Sequence, residues 1–293
     1  MPIRVARAVA GSDSQDAMSE TLPPFDLSLE EVMLAGRRLR IWRPAHPAEV
    51  QDPYAERGPA GPLWAKTWTS GLVLAGLLAR CPLHGVRVLE LGSGLGLVAI
   101  AAARSGGRVT VNDRSPLALA LTALNADENR VTVEKVPCEW RRPHALEVHG
   151  PWDLVLGSDI LYVERSAHAL PALLDRVVAA DGEVWITDPR RDTASAFLAS
   201  ASTAWRLSTY RCGHGVLLHR LARPLESSPT DLASRDRSSR RGLGPRRNSS
   251  SEPGTAKTSS LLGADGTEGD TGRAPRATRR LAVANSATGT PSR

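Results

Sequence analysis

Residues 86–96 read VRVLELGSGLG, an apolar strand that breaks into three glycines within five residues and runs straight into the small-residue helix LVAIAAARSGG. Gly92, Gly94 and Gly96 let the backbone turn sharply out of the strand, and they let a ligand approach the main chain where a Cβ would collide. A strand, a glycine turn and a helix in that order describe a nucleotide-shaped ligand seated at the turn. The alternation continues down the chain. Strands are predicted at 86–91, 108–112, 131–136, 152–157 and 183–187, and helices at 95–105, 116–125, 167–179 and 192–201. Such a sequence makes an α/β fold, with a mostly parallel sheet and helices on both faces.

Both ends of this pattern add something. Upstream, LSLEEVMLAGRRLRIWRP (27–44) reads as a short helix or strand followed by a strand at 38–42, and 61–71 lead into the apolar helix LVLAGLLAR, capped by Thr69 or Ser70. Downstream, 203–212 and 216–223 read as two strands joined by the turn Gly213-His214-Gly215. A C-terminal antiparallel hairpin closing a parallel sheet is the topology of the Rossmann-like, seven-stranded methyltransferase fold. A dehydrogenase domain does not end so.

The glycines are compatible with two cofactors. Gly94-Leu95-Gly96-Leu97-Val98-Ala99 matches the dinucleotide form G-x-G-x-x-A, but its first glycine falls three residues past the apolar run, whereas it should stand where the strand turns. Glu90, Gly92, Gly94 and Gly96 fit instead the acid-x-Gly-x-Gly-x-Gly loop of S-adenosylmethionine enzymes, a ligand without a pyrophosphate, whose cationic amino-acid end favours a nearby carboxylate. One strand later, Asp113 ends RVTVND, where a carboxylate accepts both ribose hydroxyls. The same Asp113 suits the start of the helix at Ser115-Pro116, and the two roles are compatible.

Composition bounds the rest. From 224 to 293 the chain is Ser, Thr, Gly, Pro and Arg with few aromatic or β-branched clusters, and is expected to be disordered, as are residues 1–22; residues 23–223 form the folded domain. Five of the six net positive charges come from that tail, which holds 12 Lys or Arg against 7 Asp or Glu, leaving 25 against 24 elsewhere. A nearly neutral domain gives no footprint for a phosphate backbone, so no nucleic acid is expected. Three cysteines without C-x-x-C spacing suggest neither a disulfide framework nor a zinc site. His84, His144, His149 and His168 lack metal spacing and read as surface residues, so no metal is expected. The start lacks the apolar core of a secretory signal and no run approaches ~18 apolar residues, so a cytoplasmic protein without a membrane partner is expected.

At the carboxyl end of the strand WDLVLG stands Ser158-Asp159-Ile160-Leu161-Tyr162, and in open α/β sheets the ligand lies beyond such ends. Here the sequence resembles the seven-strand protein-lysine methyltransferases of the methyltransferase-16-like group, which carry an acid-x-x-aromatic motif after this strand. The resemblance runs from about Leu63 to His219. LWAKTWTSGLVLA is similar to the family segment in which a Trp packs beside adenosylmethionine, and Trp68 takes that place. Asn125 and Asn129 resemble its paired asparagines, and Cys138-Glu139-Trp140 its turn beside the adenine. Thr187-Asp188-Pro189-Arg190-Arg191 is similar to the G-D-P-x-R element of the branch that methylates the electron-transfer flavoprotein β-subunit, with Thr187 in place of Gly.

The resemblance implies Asp159 and Tyr162 as the catalytic pair, Asp159 docking the acceptor amine and Tyr162 shaping the methyl channel. S-adenosyl-L-methionine is implied at Trp68, Glu90, Gly92, Gly94, Gly96, Asp113, Trp140 and Ser158, and a protein lysine as the acceptor. Structural alternatives stand beside these roles: Trp68 and Trp140 as core aromatics, Asp159 as a helix cap, Asp188-Pro189 as an ordinary turn. Functional alternatives are a small amine as acceptor, a cofactor-binding module without turnover, or a nicotinamide-dependent reductase.

Overall fold

A computed structural model describes residues 23–224 of the 293-residue chain. Both expected extensions lie outside the described residues, apart from Pro224. In chain order the elements are β1 (Leu27–Leu34), β2 (Arg37–Pro44), the two-residue strands β3 (Arg57–Gly58) and β4 (Gly61–Pro62), α1 (Thr69–Leu78), β5 (Arg87–Leu91), α2 (Leu97–Arg104) and β6 (Arg108–Asn112). There follow α3 (Pro116–Glu128), β7 (Val133–Lys135), α4 (His144–His149), β8 (Trp152–Ser158), α5 (Glu164–Val177), β9 (Val178–Asp188), α6 (Ala194–Ala201), β10 (Arg206–Arg211) and β11 (Leu217–Ala222).

Seven strands form one sheet in the order β10-β11-β9-β8-β5-β6-β7. β9, β8, β5, β6 and β7 run parallel, and β11 and β10 add antiparallel at one edge. The chain winds outward from β5 through β6 to β7, then returns to β8 on the other side of β5. The crevice between β5 and β8 is therefore the switch point, where open α/β sheets bind ligands at the strands' carboxyl ends.

Alternation along the central strands divides the apolar residues between two cores. Val88, Leu154, Leu156 and Trp185 face one core with α1, α2, α3 and the β1-β2 hairpin. Leu89, Leu91, Val155, Val184 and Ile186 face the other with α4, α5 and α6. A strand buried on both faces reads as a continuous apolar run, which is why RVLEL and LVL are legible as strands.

Several boundaries differ from the sequence reading. The ambiguous segment 27–34 is a strand, because Ala35 and Gly36 turn at φ 48° and 77° and pair Leu34 with Arg37, a two-residue hairpin. Thr69 and Ser70 do not cap α1; Trp68 holds the N-cap position and both residues sit inside the first turn. Nor does Asp159 cap α5, whose N-cap is Val163. The four histidines read as surface residues are exposed. The paired asparagines have a clear physical task. Asn125 Oδ1 accepts from the Trp42 amide at 2.6 Å and its Nδ2 donates to the Trp42 carbonyl at 2.9 Å, while Asn129 does the same for Arg40 at 3.0 and 2.6 Å. Two side-chain amides, in the last turn and at the C-cap of α3, thus imitate a neighbouring strand for β2. Asn125 Nδ2 also donates to the Leu95 carbonyl at 2.9 Å, which ties the hairpin to the glycine loop.

Candidate active site

A cleft of about 630 Å³ opens at the carboxyl ends of β5, β6 and β8, within the size range of small-molecule sites. Nine of the ten residues singled out in the sequence line it; Gly96 does not. Gly92, Gly94 and Gly96 all adopt positive φ, at 66°, 55° and 79°, a run of turns that only glycine takes without strain. Their neighbours differ. A Cβ at Gly92 would stand 3.3 Å from Ile160 and 3.9 Å from Trp140, both at the cleft, whereas one at Gly96 would meet the Thr122 methyl at 2.7 Å. Gly96 therefore serves the packing of the loop on α3, and the ligand-facing glycines are the first two.

Glu90 is 1% exposed, and its Oε2 accepts from the Ala99 amide at 2.8 Å. Ala99 is the third residue of α2, so this internal carboxylate occupies a free amide of the helix N-terminus. A dinucleotide's pyrophosphate would need that same end of the helix. Burial pushes the Glu90 carboxyl well above its ordinary range; the Ala99 amide pulls it down and the Asp113 charge raises it further.

Asp113 Oδ1 accepts from the Ser115 amide and Oδ2 from the Gly94 amide, each at 3.0 Å. It fastens the glycine loop to the next strand, while Ser115 caps α3 by accepting from the Ala118 amide. Burial raises the Asp113 carboxyl, and its two backbone donors lower it. Asn112 fixes the far wall, donating to the carbonyls of Val136 and Cys138 and accepting from Trp140 Nε1 at 2.8 Å. Trp140 thus lines the cleft in a set orientation.

The acceptor side holds a pairing that the sequence did not show. Asp159 adopts φ 52° at the end of β8 and is 6% exposed. Both its oxygens are taken by Arg191, Oδ1 from Nε at 2.8 Å and Oδ2 from Nη2 at 2.7 Å, a bidentate ion pair. Arg191 is itself placed by Asp188, whose carboxylate accepts from the amides of Arg190 and Arg191. The Asp-Pro-x-Arg element and the acid-x-x-aromatic motif are one device. Hydrogen bonding to Asp159 raises the Arg191 guanidinium further, so it keeps its charge. Tyr162 is 38% exposed; desolvation by the cleft wall, then the Asp113 charge, push its phenol up to about 12.

Trp68 stands between the two halves. Its Nε1 donates to the Leu63 carbonyl at 2.7 Å, its ring carries Lys66 Nζ at 3.8 Å from the centroid, and the Arg191 guanidinium lies 6.0 Å from it. Ala55 and Glu56 rim the cleft: Glu56 pairs with both Arg114 and Arg165, and nearby Asp52 accepts from Trp64 Nε1 at 2.8 Å and Ser115 Oγ at 2.5 Å. These rim residues carry no motif, and only the fold brings them together. His219, also unremarked in the sequence, is buried beside Thr209 with Nε2 lacking a hydrogen-bond partner 3.9 Å from Asp188 Oδ2. Among the described residues no cluster of three or more His, Cys, Asp or Glu is arranged to hold a metal, and no helix is long and apolar enough to cross a membrane.

This donor set fits an adenosyl sulfonium compound: a half-buried carboxylate at the end of β6, a fully buried one beneath the glycine loop, and two fixed indoles. Known proteins agree. Residues 57–204 match the family model described as lysine methyltransferase. The zebrafish (Danio rerio) protein N-lysine methyltransferase METTL21A is 37% identical over 130 residues, 42% of this chain and 59% of that protein. The electron transfer flavoprotein beta subunit lysine methyltransferase of the same species is 37% identical over 134 residues, 44% of this chain and 51% of that one. The chain spans about half the length of the curated relatives it matches, from 42% to 63%. Among solved structures, the T. thermophilus 16S rRNA N2 G1207 methyltransferase superposes with a TM-score of 0.52 at 15% identity, covering 68% of this chain and 51% of that one, a likeness of fold alone.

Proposed function

The chain belongs to the lysine methyltransferase family, and on that premise we propose that it transfers a methyl group from S-adenosylmethionine to a lysine side chain of a protein partner in the cytoplasm. The observation that carries the reading is the shared cleft, with Asp113 at the end of β6 and the Asp159–Arg191 pair at the end of β8 on opposite walls.

S-adenosylmethionine supplies a methyl group already activated on a sulfonium, so the residues of the chain align and dehydrate, work that proximity makes worth ~7–11 kcal/mol. Asp113, its plane fixed by two amides, keeps lone pairs that would accept from the ribose hydroxyls, and Trp140 and Ile160, which flank the loop, would hold the adenine. Glu90 fastens the loop to the start of α2 from beneath and, with Trp68, would border the amino-acid end of the cofactor.

The lysine must present a neutral amine. From an ordinary pKa near 10.4 this costs ~4.6 kcal/mol at pH 7. A bare carboxylate would make it worse by favouring the ammonium. Arg191 removes that penalty: the Asp159–Arg191 pair has no net charge, so Asp159 can orient an entering nitrogen without holding it protonated, and the proton leaves to solvent. Tyr162, whose phenol titrates only at about 12, stays a neutral hydroxyl and acts by shape and hydrogen bonding, not as a base.

Calorimetry with S-adenosylhomocysteine and NAD tests the cofactor, and paired variants test the division of labour. S-adenosylhomocysteine should bind and NAD should not. Asp113→Ala should weaken S-adenosylhomocysteine by more than ~10-fold, while Asp159→Ala should leave it within a few-fold and cut methylation of a lysine acceptor by ~100-fold or more, the scale of a misplaced reactant. Binding of NAD in its place, or label appearing on a small amine and on no protein, would reject the reading.

A further inference from the structure

The cleft contains a lysine of its own. Lys66 is one of only three lysines in the chain, with Lys135 and Lys257. It is exposed and lines the same cleft as Asp113, Asp159 and Tyr162. Its backbone is fixed on both sides: Trp64 and Ala65 before it are buried, and Trp68 after it is the N-cap of α1, bonded back to the Leu63 carbonyl. The residue is extended, at φ −143° and ψ 159°.

The surroundings of Nζ are those of an acceptor lysine. Among the described residues no carboxylate lies within ion-pair distance of Lys66, while the neighbouring acids Glu30, Glu56 and Asp159 pair with arginines. The ammonium rests instead on the Trp68 ring at 3.8 Å from its centroid, and the same ring faces Arg191 of the Asp159–Arg191 pair. An aromatic face holds a lysine ammonium and its methylated form alike, since the attraction is to the cation and needs no N–H donor. Its flexible four-carbon stem is rooted in the wall of the cleft that also holds Asp159 and Tyr162, and the Trp68 indole lies against both Nζ and the guanidinium of Arg191.

We infer that Lys66 is a self-methylation site, modified in cis by the cleft it lines; this rests on the lysine methyltransferase reading above. In the step, the Lys66 ammonium loses one proton to water. The Nζ lone pair then forms a bond to the methyl carbon of S-adenosylmethionine, the carbon–sulfur bond breaks with its electron pair going to sulfur, and S-adenosylhomocysteine leaves. The product methylammonium carries the charge that the sulfonium lost. A methylated Lys66 remains a cation on Trp68 but is bulkier and a poorer hydrogen-bond donor, so its modification narrows the mouth through which a partner's lysine enters.

The test uses the full chain and no other acceptor. Protein purified from an expressing strain is incubated with methyl-labelled S-adenosylmethionine; intact mass is read before and after, label is mapped by peptide across all three lysines, and S-adenosylhomocysteine binding is measured on the same sample. The expected result is a methyl group on Lys66, present on isolation or gained on incubation, with a first-order rate constant independent of protein concentration. It should be absent in Asp113→Ala and in Lys66→Arg, whose guanidinium keeps the stacking on Trp68 and with it the melting temperature. S-adenosylhomocysteine binding with no methyl on Lys66, label on Lys135 or Lys257 in its place, or a rate constant that rises with concentration overturns self-methylation in cis and leaves the cofactor reading standing. Loss of S-adenosylhomocysteine binding by the unaltered protein overturns both.

Discussion

Glu90→Gln isolates the cost of keeping a carboxylate beneath the glycine loop. Glu90 is 1% exposed, it accepts a hydrogen bond from the Ala99 amide, and burial holds its carboxyl well above the ordinary range. An unfolded glutamate titrates near ~4.3. Between that value and the raised folded value, the native protein binds more protons than the unfolded chain, so native stability falls as pH rises. The stability associated with Glu90 is fully present below ~4.3 and is lost as pH climbs through the folded pKa. Glutamine keeps an oxygen for Ala99 and does not titrate. The variant should therefore gain on the unaltered protein by ~1.4 kcal/mol for each pH unit above ~4.3, levelling off beyond the folded pKa. For a domain of this size that is ~3–6 °C in melting temperature per unit. The amide's own NH2 group adds an offset that does not vary with pH, so the slope is the readout. Urea titrations of both proteins from pH 4 to pH 8 measure it. A gap that stays constant across the range would refute a raised Glu90, and a gap that narrows with pH would reverse its sign.

Two further substitutions probe the scaffold. Asn125→Ala removes three hydrogen bonds, to the amide and carbonyl of Trp42 and to the carbonyl of Leu95, and should cost ~2–4 kcal/mol, visible as a drop of ~5–15 °C in melting temperature. Gly96→Ala puts a Cβ 2.7 Å from the Thr122 methyl at φ 79°, and should cost ~1–3 kcal/mol and weaken S-adenosylhomocysteine through displacement of the loop; unchanged stability in thermal melts would show that the loop relaxes freely.

The central sheet was legible because its signals are local. A glycine turn after RVLEL, an acid after RVTVN and an acid after WDLVLGS each lie at the carboxyl end of a strand, and parallel topology brings such ends to one edge. The β1-β2 hairpin was not, because LSLEEVML has apolar residues that suit either period and turns at Ala-Gly, a weak turn signal. Contacts across long separations left no local trace. Asn125 meets Trp42 across 83 residues, and Arg191 reaches Asp159 across 32. Each partner carries a sequence signal of its own, yet nothing in spacing says that one segment closes on the other. Gly96 shows the converse: the pattern selected it with Gly92 and Gly94, and only the position of Thr122 separates a packing glycine from a ligand-facing one.

Methyl transfer to lysine is tested most directly by the chemical form of the product. Extract from cells deleted for this protein is incubated with the purified chain and methyl-labelled S-adenosylmethionine, the protein fraction is hydrolysed, and the labelled amino acids are separated. The label should elute as methylated lysine from a discrete protein band, and should vanish when Asp159→Ala replaces the unaltered chain. Label on methylarginine, methylhistidine or a small-molecule fraction, or labelling of lysine that persists in Asp159→Ala, would contradict the assignment of this cleft.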